Sequence, residues 1–170
     1  MIKDRIVQFC NWWGNLKFLP FIGITLLLTY YNAVALIPLN IYSSITNTKI
    51  PMPTIGEREE IYGYMYHIDA IFIAPVLETL LFINLIIFLM RKLITKNYII
   101  QTFVSIICFG LWHIHLGWRY FLYATLVGVV LTVGYLIYRD KKGIIFATYA
   151  IIFVHSLRNA ISSLLYHIIY

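Results

Sequence analysis

The chain has 170 residues, of which 61% are hydrophobic and only 12% charged, where a soluble domain averages about 45–50% apolar and about 25% charged. A soluble fold of this length cannot hide that much apolar surface, so the composition excludes an ordinary globular enzyme and calls for a polytopic, all-α membrane helix bundle. The net charge of +6 does not mark a nucleic-acid binder, because Lys and Arg fall in short segments between apolar stretches, where they set membrane orientation.

Residues 1–17 interleave Lys3, Arg5 and Lys17 with Ile6, Val7, Phe9, Trp12 and Trp13, the pattern of a segment lying at the membrane surface. The first span is expected over 18–39. Ala33-Val34-Ala35 resembles a signal-peptide cleavage site, but the basic lead is long and apolar residues continue to Leu39, which favours a retained helix. Residues 40–67 form the one long polar loop, broken by Pro51, Pro53 and Gly56, with a solvated cluster at Glu57, Arg58, Glu59 and Glu60. His67 and Asp69 at its end are two ligand types where a zinc site needs at least three.

Four further spans follow, at 68–90, 98–116, 119–138 and 144–168, giving about five in a single membrane domain. The fourth carries Ala124, Gly128 and Thr132 at a spacing that lets helix backbones approach closely. Basic residues gather in 1–17, at Arg91, Lys92 and Lys96, and at Arg139, Lys141 and Lys142. With five spans these regions share one side, which puts the N-terminus in the cytoplasm and the C-terminus outside. Cys10 and Cys108 are far apart and form no CxxC, so they say nothing of redox compartment. The Ile, Tyr, Asn and Lys bias points to an AT-rich, bacterial genome and hence to a bacterial cell membrane.

The second span, IDAIFIAPVLETLLFINLIIFLM, holds Glu78 near its middle. A charge at that depth costs about 2.5 kcal/mol or more and requires a partner or a purpose. The third span offers His113, with His115 nearer the loop. The fifth offers His155 and Asn159 at i and i+4, on one helix face, with Arg158 close to it. Span positions put His113 toward the outer leaflet and Glu78 and His155 nearer the middle. A buried guanidinium seeks a carboxylate, and Glu78, then Asp69, is nearest to Arg158 by depth. A carboxylate, two imidazoles and an amide are the groups needed to activate a water and stabilise an oxyanion. For any one of them alone, a hydrogen-bonded packing role is the simpler account.

Ala74-Pro75-Val76-Leu77-Glu78-Thr79, Phe109-x3-His113 and His155-x3-Asn159, in order and on separate spans, resemble the three motifs of the CPBP family of intramembrane proteases. That family includes type 2 CAAX prenyl endopeptidases and Abi-like bacteriocin-processing or immunity proteins. The resemblance covers about residues 70–164. It implies a metal-independent peptidase in which Glu78 and His113 activate the attacking water while His155 and Asn159 stabilise the tetrahedral oxyanion. It implies no cofactor, and a peptide or lipidated protein substrate in the bilayer. Two positions depart from the family pattern: Thr79 replaces a second Glu, and Ile83 stands where an Arg is usual. These departures support the alternative of a non-catalytic member with an immunity or partner-binding role. A third reading makes the chain a metal or haem membrane protein using His113, His115 and His155. An open zinc site on Glu78, His113 and His155 also matches the donor types.

Overall fold

A computed structural model describes residues 2–34 and 65–169, with positions 37, 41, 60 and 63. Most of the expected 40–67 loop, including Glu57–Glu59, and most of the first expected span beyond 34 lie outside the described residues. Among the described residues the chain is all-α, with no strand. The helices are α1 (Ile2–Asn15), α2 (Phe18–Ala33), α3 (Met65–Ile94), α4 (Tyr98–Trp112), α5 (Trp118–Lys142) and α6 (Ile144–Ile169). Helices α3, α5 and α6 are long and apolar enough to cross a membrane, and α2 and α4 add two shorter apolar helices. Leu19, Leu27, Phe72, Phe88, Phe103 and Phe146 are exposed on the outside of the bundle. An apolar exterior of this extent belongs against lipid.

Helix α5 is the axis of the bundle and packs against α1, α2, α4 and α6. Small residues make this possible. Gly128 faces the Phe109 ring so closely that a Cβ would lie 3.1 Å from it, and a Cβ on Gly110 of α4 would overlap the Thr125 hydroxyl. Ala124 and Thr132 are buried on the same stripe, and Thr132 Oγ1 lies 3.3 Å from Ser105 Oγ. The seam expected from Ala124, Gly128 and Thr132 therefore receives α4. Helix α5 ends on Arg139, Lys141 and Lys142, which complement the partial negative charge of a helix C-terminus. Gly143 follows at φ +88°, a backbone state that glycine adopts without penalty.

Helix α3 is continuous but not uniformly α. Wide, π-type turns at Asp69–Ile73, Thr79–Leu85 and Met90–Ile94 alternate with α-helical turns, and Glu78 sits at the junction of Ala74–Glu78 with the second wide turn. Each of the first two wide turns redirects an N–H away from the carbonyl it would bond in a regular α-helix. The Ala74 N–H bonds to Asp69 O, and Pro75 has no N–H, so Ala70 O loses both candidate backbone partners. The Ile86 N–H goes to Leu81 O and Ile83 O, bypassing Phe82 O. Neighbouring helices donate to both carbonyls. Asn159 Nδ2 of α6 donates to Ala70 O at 2.8 Å, and Ser105 Oγ of α4 donates to Phe82 O at 2.6 Å. A stranded carbonyl in an apolar interior is costly, so these two ties anchor α3 on either side of Glu78.

The N-terminal helix splits its aromatic residues. Trp12 is exposed while Trp13 is buried, its Nε1 donating to Thr25 Oγ1 at 3.1 Å. Gly14 presses onto Ile137 and Lys141, and the Arg139 guanidinium lies 5.7 Å from the Tyr98 ring at the start of α4. The N-terminal, 91–96 and 139–142 basic segments thus meet at one end of the bundle.

Candidate active site

The opposite end contains a cavity of about 1210 Å3, lined by the first half of α3, the α4–α5 connection and the second half of α6. Glu78, His113, His155, Arg158 and Asn159 all face it. Glu78 is 7% exposed and its two carboxylate oxygens point at two different helices. Oε1 lies 3.3 Å from His113 Nε2, and Oε2 lies 3.6 Å from His155 Nε2. The expected difference in depth between His113 and the other two does not hold: all three share one level. Helix α4 stops at Trp112, short of the expected span end, His113 caps it with φ −95° and ψ 0°, and Ile114–Leu116 form a 3-10 turn. The imidazole therefore enters the bundle at the helix end.

Phe109 explains the Phe-x3-His spacing. Its carbonyl accepts a hydrogen bond from His113 Nδ1 at 2.8 Å. A carbonyl only accepts, so Nδ1 carries a proton and Nε2 is the nitrogen offered to Glu78. Its ring, almost fully buried, lies 5.1 Å from the His113 ring and 5.8 Å from the His155 ring, wedging both imidazoles toward the carboxylate. Sequence reasoning used Phe109 as a motif marker and missed this role. It also missed Tyr123, Tyr30 and Ser105, whose positions carry no local pattern.

Arg158 does not pair with Glu78 or Asp69, contrary to the sequence-based expectation; among the described residues it forms no ion pair. Its guanidinium donates to the Tyr123 hydroxyl and lies over the Tyr123 and Tyr30 rings. The Glu78 oxygens are already flanked by imidazoles, and two phenol rings hold the cation in place. Thr79 and Ile83, one turn apart, are both fully buried, and among the described residues Thr79 Oγ1 has no hydrogen-bond partner. His155 Nδ1 is likewise without a partner among the described residues. His115 is exposed, with Nδ1 2.8 Å from Trp112 O. His67 Nδ1 lies 3.0 Å from Ser163 Oγ, and both residues line the cavity. Among the described residues, no group of three or more His, Cys, Asp or Glu has the arrangement to hold a metal ion.

The arrangement brings a carboxylate, two imidazoles and an amide from three helices to one apolar cavity. A carboxylate–imidazole contact can pass a proton in either direction, and N–H groups where water is scarce stabilise developing negative charge strongly. No curated protein and no solved structure shows significant similarity to the chain. Residues 62–161, more than half of the chain and spanning all three motifs, match the family described as type II CAAX prenyl endopeptidase Rce1-like. The chain belongs to this CAAX-type family of intramembrane proteases.

Proposed function

We propose that the protein is an intramembrane endopeptidase that hydrolyses a peptide bond of an apolar or lipidated peptide in this cavity. The observation that carries the reading is the Glu78 carboxylate set between His113 and His155, within 3.3 and 3.6 Å. A water beside Glu78 attacks the scissile carbonyl carbon and gives its proton to the Glu78–His113 pair. The tetrahedral oxyanion receives N–H donors from His155 and Asn159. Asn159 has two amide hydrogens: one bonds Ala70 O, and the second is available to the oxyanion. Collapse breaks the C–N bond, and the Glu78–His113 pair returns the proton to the leaving amine. Contacts that are loose without substrate tighten when the complex forms.

Tyr66, His67, His115 and Tyr166 line the cavity toward the end away from the three basic segments. By the positive-inside rule the N-terminus lies in the cytoplasm and this end of the cavity toward the outer side. Co-expression with candidate lipidated or leader peptides, read by mass spectrometry, tests the reaction. Wild type cleaves and a folded Glu78→Gln loses activity by about 10²-fold or more; equal cleavage by both would overturn the role of Glu78.

Thr79 and Ile83 favour a second reading, a non-catalytic member with an immunity or partner-binding role. Their burial is equally compatible with an active enzyme. Losing both members of a charged pair leaves no stranded charge, and replacing such a pair by apolar packing is often neutral for stability. If wild type cuts no peptide and Glu78→Gln still supports the same cellular phenotype, the second reading stands.

A further inference from the structure

Helix α5 turns Tyr120, Tyr123, Ala124 and Val127 to the cavity, at the three- and four-residue spacing of one helix face. The hydrolysis proposed above makes no use of Tyr123. Its side chain is half-buried, and its hydroxyl oxygen accepts from the Arg158 guanidinium. Arginine only donates. The phenol proton therefore points away from Arg158, and no acceptor for it is found among the described residues. Tyr30, the other phenol against Arg158, differs: its hydroxyl donates to the Arg158 backbone carbonyl at 3.0 Å and lies 3.3 Å from Ser162 Oγ. The guanidinium carbon lies 4.8 Å from the Tyr123 ring centroid, and the same guanidinium reaches Asn159 Oδ1 at 3.5 Å. On its other side the Tyr123 ring lies 5.9 Å from the Tyr120 ring, which lies 5.5 Å from the His113 ring. Tyr123 thus stands on the cavity wall between His113 and Asn159, linked to one through Tyr120 and to the other through Arg158. An O–H whose oxygen accepts from a cation is polarised and donates more strongly.

We propose that Tyr123 is a further catalytic residue, whose O–H donates to the tetrahedral oxyanion beside Asn159, and that Arg158 is the positioning residue that holds and polarises the phenol. The proposal rests on the peptidase reading. No proton changes hands in this contact: the hydrogen stays on Tyr123, and its hydrogen bond strengthens as the carbonyl oxygen gains charge. The donors then come from α5 and α6, and the Glu78–His113 pair that activates the water comes from α3 and the end of α4. The scissile carbonyl lies between these two sets, with its carbon toward Glu78 and its oxygen toward Tyr123, His155 and Asn159.

Tyr123→Phe keeps the ring against Arg158 and deletes only the hydroxyl. In phosphatidylcholine nanodiscs, with an apolar, lipidated peptide that wild type cleaves, kcat is expected to fall about 10²-fold while KM stays within about threefold, as for a contact made only in the transition state. A phosphonate analogue of the same peptide, with a tetrahedral P–O⁻ in place of the scissile carbonyl, is expected to lose affinity in the same proportion. The peptide itself, titrated onto a Glu78→Gln background so that it is not consumed, keeps its affinity. Arg158→Gln lowers kcat in wild type and adds little in Tyr123→Phe, since both substitutions remove the same donor. Equal kcat in wild type and Tyr123→Phe overturns the proposal, as does a loss of affinity shared alike by phosphonate and peptide, which marks a packing role. Additive losses for Arg158→Gln and Tyr123→Phe overturn the part assigned to Arg158. A wild type that cleaves no peptide overturns the peptidase reading and this proposal with it, whereas cleavage indifferent to Tyr123→Phe overturns this proposal alone.

Discussion

At the end where α1, α2 and α5 meet, polar side chains bond to their neighbours and the space between helices closes. Trp13 donates to Thr25, Thr25 to Phe21 O at 2.7 Å, and Phe21 stacks on Tyr138 at 3.9 Å. At the other end α3, α4 and α6 diverge around the cavity, and the buried polar atoms without partners among the described residues include ring and guanidinium nitrogens of His155 and Arg158. At the closed end, Asn84 Oδ1 and Gln101 Oε1 also lack partners among the described residues, but the nitrogens of both amides are bonded. The contrast teaches that one half of the bundle uses hydrogen bonds as ties. The other keeps ionisable groups under-coordinated where a ligand can reach them. Phe109 and Asn159 belong to both halves, since each supports α3 or the imidazoles and also borders the cavity.

The contrast is broken most severely at Phe109. Phe109→Ala empties the space between Gly128 and the two imidazoles and is expected to destabilise by about 3–5 kcal/mol, seen as earlier unfolding in mixed micelles together with lost cleavage. Asn159→Ala strands Ala70 O and is expected to cost about 1–3 kcal/mol. In a Pro75→Ala background a backbone N–H is restored next to that carbonyl, so the same substitution costs less there. A double-mutant cycle measures the difference, and additive losses would remove the tie from the account. Trp13→Phe, at the closed end, deletes one hydrogen bond and costs about 1 kcal/mol, with cleavage unchanged; lost cleavage would mean that the two ends are not independent. The smallest effect is expected at Thr79. Thr79→Val removes an unpartnered buried hydroxyl and shifts stability by about 0.5 kcal/mol or less, neutral or favourable in sign. A large loss there would reveal a partner for Oγ1 in the protein in its membrane.

Much of the fold was legible in the chain because its signals are local. Apolar runs of bilayer length, the small residues at 124, 128 and 132, and the basic segments between spans act within a few residues of themselves. Polar residues inside those runs identified Glu78, His113, His155 and Asn159 for the same reason: each is costly where it stands, whatever surrounds it. Which group each one meets was not legible. The level of His113 depends on where α4 unwinds, the donor for Ala70 O comes from a helix 89 positions later in the chain, and Arg158 turned to Tyr30 and Tyr123 rather than to a carboxylate. Sequence by itself determined the class of fold and the inventory of unusual groups, since burial cost is a property of the residue and its segment. Only the tertiary structure decided their pairing, since pairing depends on helix rotation and crossing, and these are set by packing between segments remote in sequence.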